Sequence, residues 1–395
     1  MAAPQIPNLN TLRRGRGRGR GGRATDSGHD TRPAGKDHVV QGTDNDASVS
    51  RLSAVELGYL QDPYATILTP AGSATRRFPI INRARRMGKT DWGYPTGTYV
   101  RTTAIDHLVA RFLGAHTPNK DQSQRKQIIS LGAGSDTRVF RILSRNPSDL
   151  VYHEIDFAVN TSSKVRAIRS TPRLQQALGI DKPDAEVTVS ETGDALHTPT
   201  YHLHAVDLRS LSKDSDFSAI LPGVDRGLPT LLISECCLIY LSPTEAAQVV
   251  AFFTEHLFAP AGGNGDDKQT TAPLGLVLYE PIRPDDAFGR TMVSNLATRG
   301  IQLQTLHKYA SLEAQRNRLK EQGLGSGQAV ADIEFIWKHW VSEEEKERVS
   351  GLEMLDEVEE WQLLARHYCI AWAWRNGDNP SIYKGWATLE AQPGN

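Results

Sequence analysis

Cysteine is scarce in this chain: Cys236, Cys237 and Cys369 are the only three in 395 residues. Two of them are adjacent inside an apolar stretch and no C-x-x-C pair occurs. That excludes a disulfide framework, argues against a zinc site, and fits a reducing compartment; no metal is expected. No apolar run approaches the roughly 20 residues of a membrane span, and the N-terminus shows no apolar signal-peptide core. The expected setting is cytoplasmic, with the nucleus as a second location, and the expected state is a monomer without a membrane partner. A dominant charge sign is also missing. The formal net charge is −1, so no global field points to nucleic acid. There is no phosphate-cradling G-x-x-x-x-G-K-[ST], and no internal repeat is visible. What is present is 39% hydrophobic content, enough for one large α/β domain with additions.

Composition divides the chain. Residues 1–46 read as a disordered tail, with a Gly/Arg tract at Arg13–Arg23 and almost no apolar anchors over residues 24–46. Such a tract is a solvated segment that makes at most weak contacts with RNA. Residues 47–70 carry a helical apolar stripe, residues 71–104 read as a basic loop, and residues 104–115 as an amphipathic helix. Thereafter apolar runs alternate with helical segments. Strands are expected at 127–131, 150–156, 202–207, 229–235 and 274–280. Helices are expected near 136–144, 157–170, 213–220, 243–257, 285–297 and 308–322. The aromatic run around Trp372 and Trp374 suits a closing strand, and residues 376–395 read as a trailing extension. This alternation predicts an α/β fold with a doubly wound, mainly parallel sheet, in one domain over residues 47–375.

Chemistry concentrates at the strand ends. Leu131-Gly132-Ala133-Gly134 closes the first strand in a glycine turn, and Thr137 stands where a dinucleotide fingerprint needs its third glycine. Asp156, Asp207 and Glu235 each end a predicted strand, where open α/β sheets bind ligands. Asp156 lies 22 positions after Gly134, placed to accept from both hydroxyls of a ribose. One such acid is commonly a helix N-cap; three in register are harder to dismiss. Dinucleotides and nucleoside triphosphates bring phosphates. S-adenosylmethionine instead offers ribose hydroxyls, an adenine amino group, a sulfonium and an α-ammonium, for which acceptors are suited. The acids therefore point to a methyltransferase.

The segments Leu131–Arg138, His153-Glu154-Ile155-Asp156-Phe157, Val206-Asp207-Leu208-Arg209 and Leu231–Tyr240 together resemble the leucine carboxyl methyltransferases. The likeness extends to Asp46-Ala47, Asp62-Pro63-Tyr64, Asn82-Arg83 and Arg366-His367-Tyr368-Cys369, over about residues 44–375. That family uses S-adenosylmethionine to esterify the C-terminal leucine of the type 2A protein phosphatase catalytic subunit. The resemblance implies an S-adenosylmethionine methyltransferase fold with a helical lid N-terminal to it. It also implies Gly132 under the methionine, Asp156 on the ribose, Asp207 with Leu208 around the adenine, and Glu235 facing the methionine end. Arg51 stands where the family has a lysine for the methionine carboxylate. Arg101 answers to the arginine that reaches the active-site carboxylates, and Tyr240 is a candidate donor to the substrate or else a core tyrosine. A family run that is continuous elsewhere is broken here between Arg83 and Gly97; residues 84–96 are either a surface insertion or a splice-junction error. Two alternatives share the cofactor half: a wybutosine-type tRNA modification methyltransferase, whose C-terminal repeats are not seen here, and a small-molecule carboxyl or O-methyltransferase.

Overall fold

Ile128 and Ile129 are neighbours in sequence, both fully buried, and they belong to opposite hydrophobic cores. Leu231 and Leu232 divide in the same way. Successive side chains of a strand point to opposite faces, so these runs of apolar residues form strands sandwiched between two helical layers. The computed structural model describes residues 33–70, 93–115, 125–145, 149–260, 271–352 and 358–393.

Nine strands form one sheet among the described residues. They are β1 Lys126–Leu131, β2 Leu150–Asp156, β3 Thr188–Val189, β4 Leu196–His197, β5 Tyr201–Ala205, β6 Thr230–Glu235, β7 Leu274–Pro281, β8 Gly327–Asp332 and β9 Tyr368–Arg375. Their order across the sheet is β3-β4-β5-β2-β1-β6-β7-β9-β8. The pairs from β5 through β7 are parallel. The hairpin strands at one edge and β9 with β8 at the other are antiparallel. The chain leaves β1 towards β2 and β5, then crosses to β6 on the other side of β1. That reversal opens a crevice above the carboxyl ends of β1 and β6, where doubly wound sheets bind ligands. In register, Leu131 lies opposite both Ile155 and Ser234, so Gly132, Asp156 and Glu235 emerge at one level.

The doubly wound, mainly parallel sheet is as expected, and the predicted strands lie within two residues of their ends. Other expectations need correction. The tail expected over residues 1–46 does not extend that far. Helix α1, Pro33–Gln41, and helix α2, Thr43–Glu56, are ordered parts of the fold. The part of them read as tail is anchored by polar contacts, Asp37 with Arg209 and Asp44 with Ser135, which composition does not betray. Leu52 and Ala54 of α2 are buried, as the apolar stripe over residues 47–70 implies. Residues 1–32, with the Gly/Arg tract, lie outside the described residues.

The basic loop expected up to residue 104 gives way to helix α3, Gly93–Gly114. Its Gly, Pro and Thr content reads as loop. Yet Pro95 sits in the first turn, where no amide is needed, and Thr96, Tyr99 and Val100 are buried. Of the proposed insertion, residues 84–92 lie outside the described residues and residues 93–96 begin this helix. Asp207 lies beyond β5 and caps a short 3-10 turn, Leu208–Ser210. The C-terminal residues do not trail off. Tyr383 donates to the Thr230 carbonyl at 2.5 Å, and the Trp386 indole donates to the Leu108 carbonyl at 3.0 Å. Strand β8 was not anticipated from Gly327-Gln-Ala-Val-Ala-Asp332, whose small residues carry little strand signal.

Candidate functional site

Gly132 and Gly134 both have positive φ, +64° and +47°, a region costly for residues with a Cβ. A Cβ on Gly132 would lie 2.5 Å from the Cys237 sulfur, and one on Gly134 would strike the Asp44 carboxylate. The turn thus needs glycine for conformation and for room. It leads into helix α4, Arg138–Leu143.

Asp156, at the end of β2, is 8% exposed. Its Oδ2 accepts the Gly134 amide at 2.7 Å, and its Oδ1 accepts the Phe157 amide at 2.7 Å and the Asn160 amide group at 3.0 Å. Burial raises its pKa, opposed by the Gly134 and Phe157 amides. The carboxylate is therefore tied to the glycine turn, and each oxygen can still accept from a ribose hydroxyl. Asp207 is more open and is bound by the Arg209 amide and guanidinium at 2.6–3.1 Å. The structure gives it the helix-cap role alongside its place at the crevice. Leu208 beside it is buried in the core.

Glu235 ends β6. Its Oε2 accepts Arg101 Nε at 2.7 Å and its Oε1 lies 2.8 Å from Arg138 Nη1. Burial would raise its pKa, but Arg138 and Arg101 outweigh this and hold the carboxylate below its ordinary range. Arg101 projects from α3, lies 4.6 Å over the Tyr279 ring, and is a quarter exposed. Among the described residues its two Nη groups have no hydrogen-bond acceptor. Arg51, on α2, reaches Asp62 at 3.3 Å and Asp136 at 3.4 Å. These are long contacts that keep it beside the glycine turn with donors to spare. Tyr240 follows in the turn Leu238–Tyr240, against Thr43 of α2, and burial raises its pKa. Gly132, Asp156 and Glu235 thus stand at one level of the sheet, with Arg101 bound to Glu235 and Arg51 bound to Asp136 beside them; Asp207 and Tyr240 lie beyond the ends of β5 and β6.

Three contributors went unrecognised in the sequence. Arg138 is fully buried and bridges Asp106, Asp136 and Glu235 at 2.6–2.8 Å. Its place directly after the glycine turn was the available signal. Asp136 meets both Arg51 and Arg138, and its pKa is depressed despite burial. Asp44 accepts the Ser135 amide and hydroxyl, each at 2.7 Å. Nothing local marks it, since it comes from the segment read as tail.

No side chain here is prepared for covalent chemistry. Burial raises the Cys236 thiol to about 12 and pushes Cys237 up as well, so neither is a thiolate at neutral pH. Among the described residues no three His, Cys, Asp or Glu side chains converge as metal ligands. The arrangement binds, orients and balances charge.

The family model described as leucine carboxyl methyltransferase matches residues 40–254, more than half of the chain. Leucine carboxyl methyltransferase 1 of Aspergillus fumigatus is 59% identical, with all of both chains covered. The protein of that name from Emericella nidulans is 60% identical over 99% of each. The Arabidopsis thaliana homolog is 35% identical over 85% of this chain and 89% of its own. A looser likeness, TM-score 0.37 at 11% identity over 72% of this chain and 85% of the other, is to a geranyl diphosphate C-methyltransferase from Streptomyces coelicolor. With its glycine turn, strand-end acids and this match along its length, the chain belongs to the leucine carboxyl methyltransferase family.

Proposed function

We propose that the chain transfers a methyl group from S-adenosylmethionine to the α-carboxylate of the C-terminal leucine of the type 2A protein phosphatase catalytic subunit, and that this ester regulates holoenzyme assembly. The observation that carries the reading is Arg101, whose guanidinium gives Nε to Glu235 while its two Nη groups have no acceptor among the described residues. A half-engaged fork of this kind suits a second carboxylate.

The residues fit the cofactor. The crevice offers acids rather than a phosphate cradle, which suits a ligand with sulfonium and ammonium charge. At Gly132 and Gly134 the turn is kept free of side chains, a Cβ on the first being barred by Cys237 and one on the second by the Asp44 carboxylate. Asp156 would hold the ribose, Asp207 and Leu208 the adenine, Gly132 and Arg51 the methionine carboxylate, and Glu235 the methionine end. When bound, S-adenosylmethionine supplies an electrophilic methyl group. A C-terminal carboxylate has a pKa of about 3.5, so it arrives ionised and needs no general base. Arg101 orients it, and its tie to Glu235 tempers the guanidinium so that it steers the nucleophile without quenching it. Esterification removes one negative charge from the substrate's terminus, which would alter how that terminus docks on other subunits.

The test is incubation with labelled S-adenosylmethionine and the phosphatase catalytic subunit, with and without its terminal leucine. Leucine-dependent, base-labile label is expected. Label on tRNA or on small carboxylic acids alone would replace this reading.

A further inference from the structure

Asp44 sits in the first turn of α2, yet its carboxylate is spent across the crevice, on the Ser135 amide and hydroxyl at 2.7 Å. On the other side of the same turn, Asp156 accepts the Gly134 amide at 2.7 Å. Two carboxylates thus flank two consecutive residues of the glycine turn, close enough for Asp44 to raise the pKa of Asp156. The other acids of the crevice are matched: Asp136 by Arg51 and Arg138, Glu235 by Arg101 and Arg138. Among the described residues no lysine or arginine forms an ion pair with Asp44 or Asp156. Among the described residues the glycine turn thus carries two carboxylates that no cation pairs directly, Arg51 beside it being engaged by Asp62 and Asp136, and burial of Asp156 limits screening there.

We infer that Asp44 is a specificity-determining residue that favours the charged methyl donor over its demethylated product. The inference rests on S-adenosylmethionine being the donor. That donor carries a sulfonium, an ammonium and a carboxylate, for a net charge of +1. S-adenosylhomocysteine has lost the sulfonium and is neutral overall. A fixed negative charge beside the turn attracts the first more than the second, which helps the product leave. A carboxylate serving only to latch α2 to the turn would not distinguish them.

Asp44→Asn separates the two roles. The amide oxygen keeps an acceptor for Ser135 at nearly the same shape, and the charge is gone. Dissociation constants for S-adenosylmethionine and S-adenosylhomocysteine are measured by calorimetry on the full chain, for the unaltered protein, Asp44→Asn and Asp44→Ala. The expected result is an affinity for S-adenosylmethionine lowered ~5-fold in Asp44→Asn, with S-adenosylhomocysteine changed less than ~2-fold. Added salt should narrow the preference in the unaltered protein and leave the variant's ratio nearly flat. Asp44→Ala should weaken both ligands further, through loss of the latch. Equal weakening of both ligands in Asp44→Asn, or no change in either, overturns the inference. Failure of the unaltered protein to bind either compound overturns the donor assignment itself.

Discussion

Arg138 Nη1 lies 2.8 Å from Glu235 Oε1, joining the first residue of α4 to the last residue of β6 in a buried bridge. The same guanidinium holds Asp136 at 2.6 Å and Asp106 at 2.8 Å. Removing it would strand buried carboxylates, and breaking a buried pair by deleting one partner costs about 3–5 kcal/mol. Arg138→Met should therefore lower the urea midpoint sharply. Glu343→Ala, at an exposed pair with Lys346, should change stability by less than ~1 kcal/mol. Equal effects from the two would show that the buried bridge contributes little.

Arg101 is a quarter exposed and stands on a helix whose core residues lie elsewhere. Arg101→Ala should leave circular dichroism and the melting temperature nearly unaltered while kcat/KM falls ~100-fold or more. Arg101→Lys should recover only part of this, because an ammonium cannot fork between Glu235 and a second carboxylate. Near-normal turnover in Arg101→Ala would take it out of the reaction.

Gly132→Ala combines a positive φ with overlap against Cys237. The backbone penalty is about 1–3 kcal/mol, before any displacement of β6's following turn. The expected outcome is loss of S-adenosylmethionine binding with a modest fall in melting temperature. Cys237→Ala in the same chain should restore little, since the Cys237 Cβ itself lies 2.8 Å from the added methyl. Full rescue would mean the sulfur alone sets the limit.

A pH dependence follows from four histidines on β2, β4 and β5. His153 stacks on His202 at 4.7 Å and on His204 at 5.4 Å, and His197 lies 5.2 Å from His204. Burial, then mutual repulsion, drives His153 and His204 well below the ordinary histidine range and His202 down to about 4. In the folded chain these rings are neutral, while unfolded they titrate near 6.5. The unfolded state binds more protons between those values, so stability is full above about pH 6.5 and declines as pH falls towards 4. Urea midpoints at pH 8, 6.5 and 5 should drop mainly over the last interval. His153→Phe keeps a ring in the stack, where the His153 Nε2 has no partner, and should flatten the decline. An unchanged slope would assign the effect to other groups.

The central sheet could be read from residues 127–131, 150–156, 229–235 and 274–280 because a buried parallel strand is a local signal: a short apolar run bounded by turn residues. Gly132, Asp156 and Glu235 were legible for the same reason, since the end of a strand is where a doubly wound sheet opens. Long-range polar contacts leave no such trace. Helices α1 and α2 are held by Asp37 on Arg209 at 2.8 Å and by Asp44 on Ser135, pairs separated by 172 and 91 positions. Helix α3 begins in residues that read as loop, because its stability comes from packing Tyr99 and Val100 rather than from propensity. The C-terminal turn docks Tyr383 and Trp386 on carbonyls of β6 and α3. By itself, then, the sequence determined the fold class and the strand ends at which Gly132, Asp156 and Glu235 stand. Only the tertiary structure decided that Arg138 ties three of those elements together and that Asp44, from a segment without apolar anchors, reaches the glycine turn. Both depend on which distant backbones the packed sheet brings within hydrogen-bonding reach.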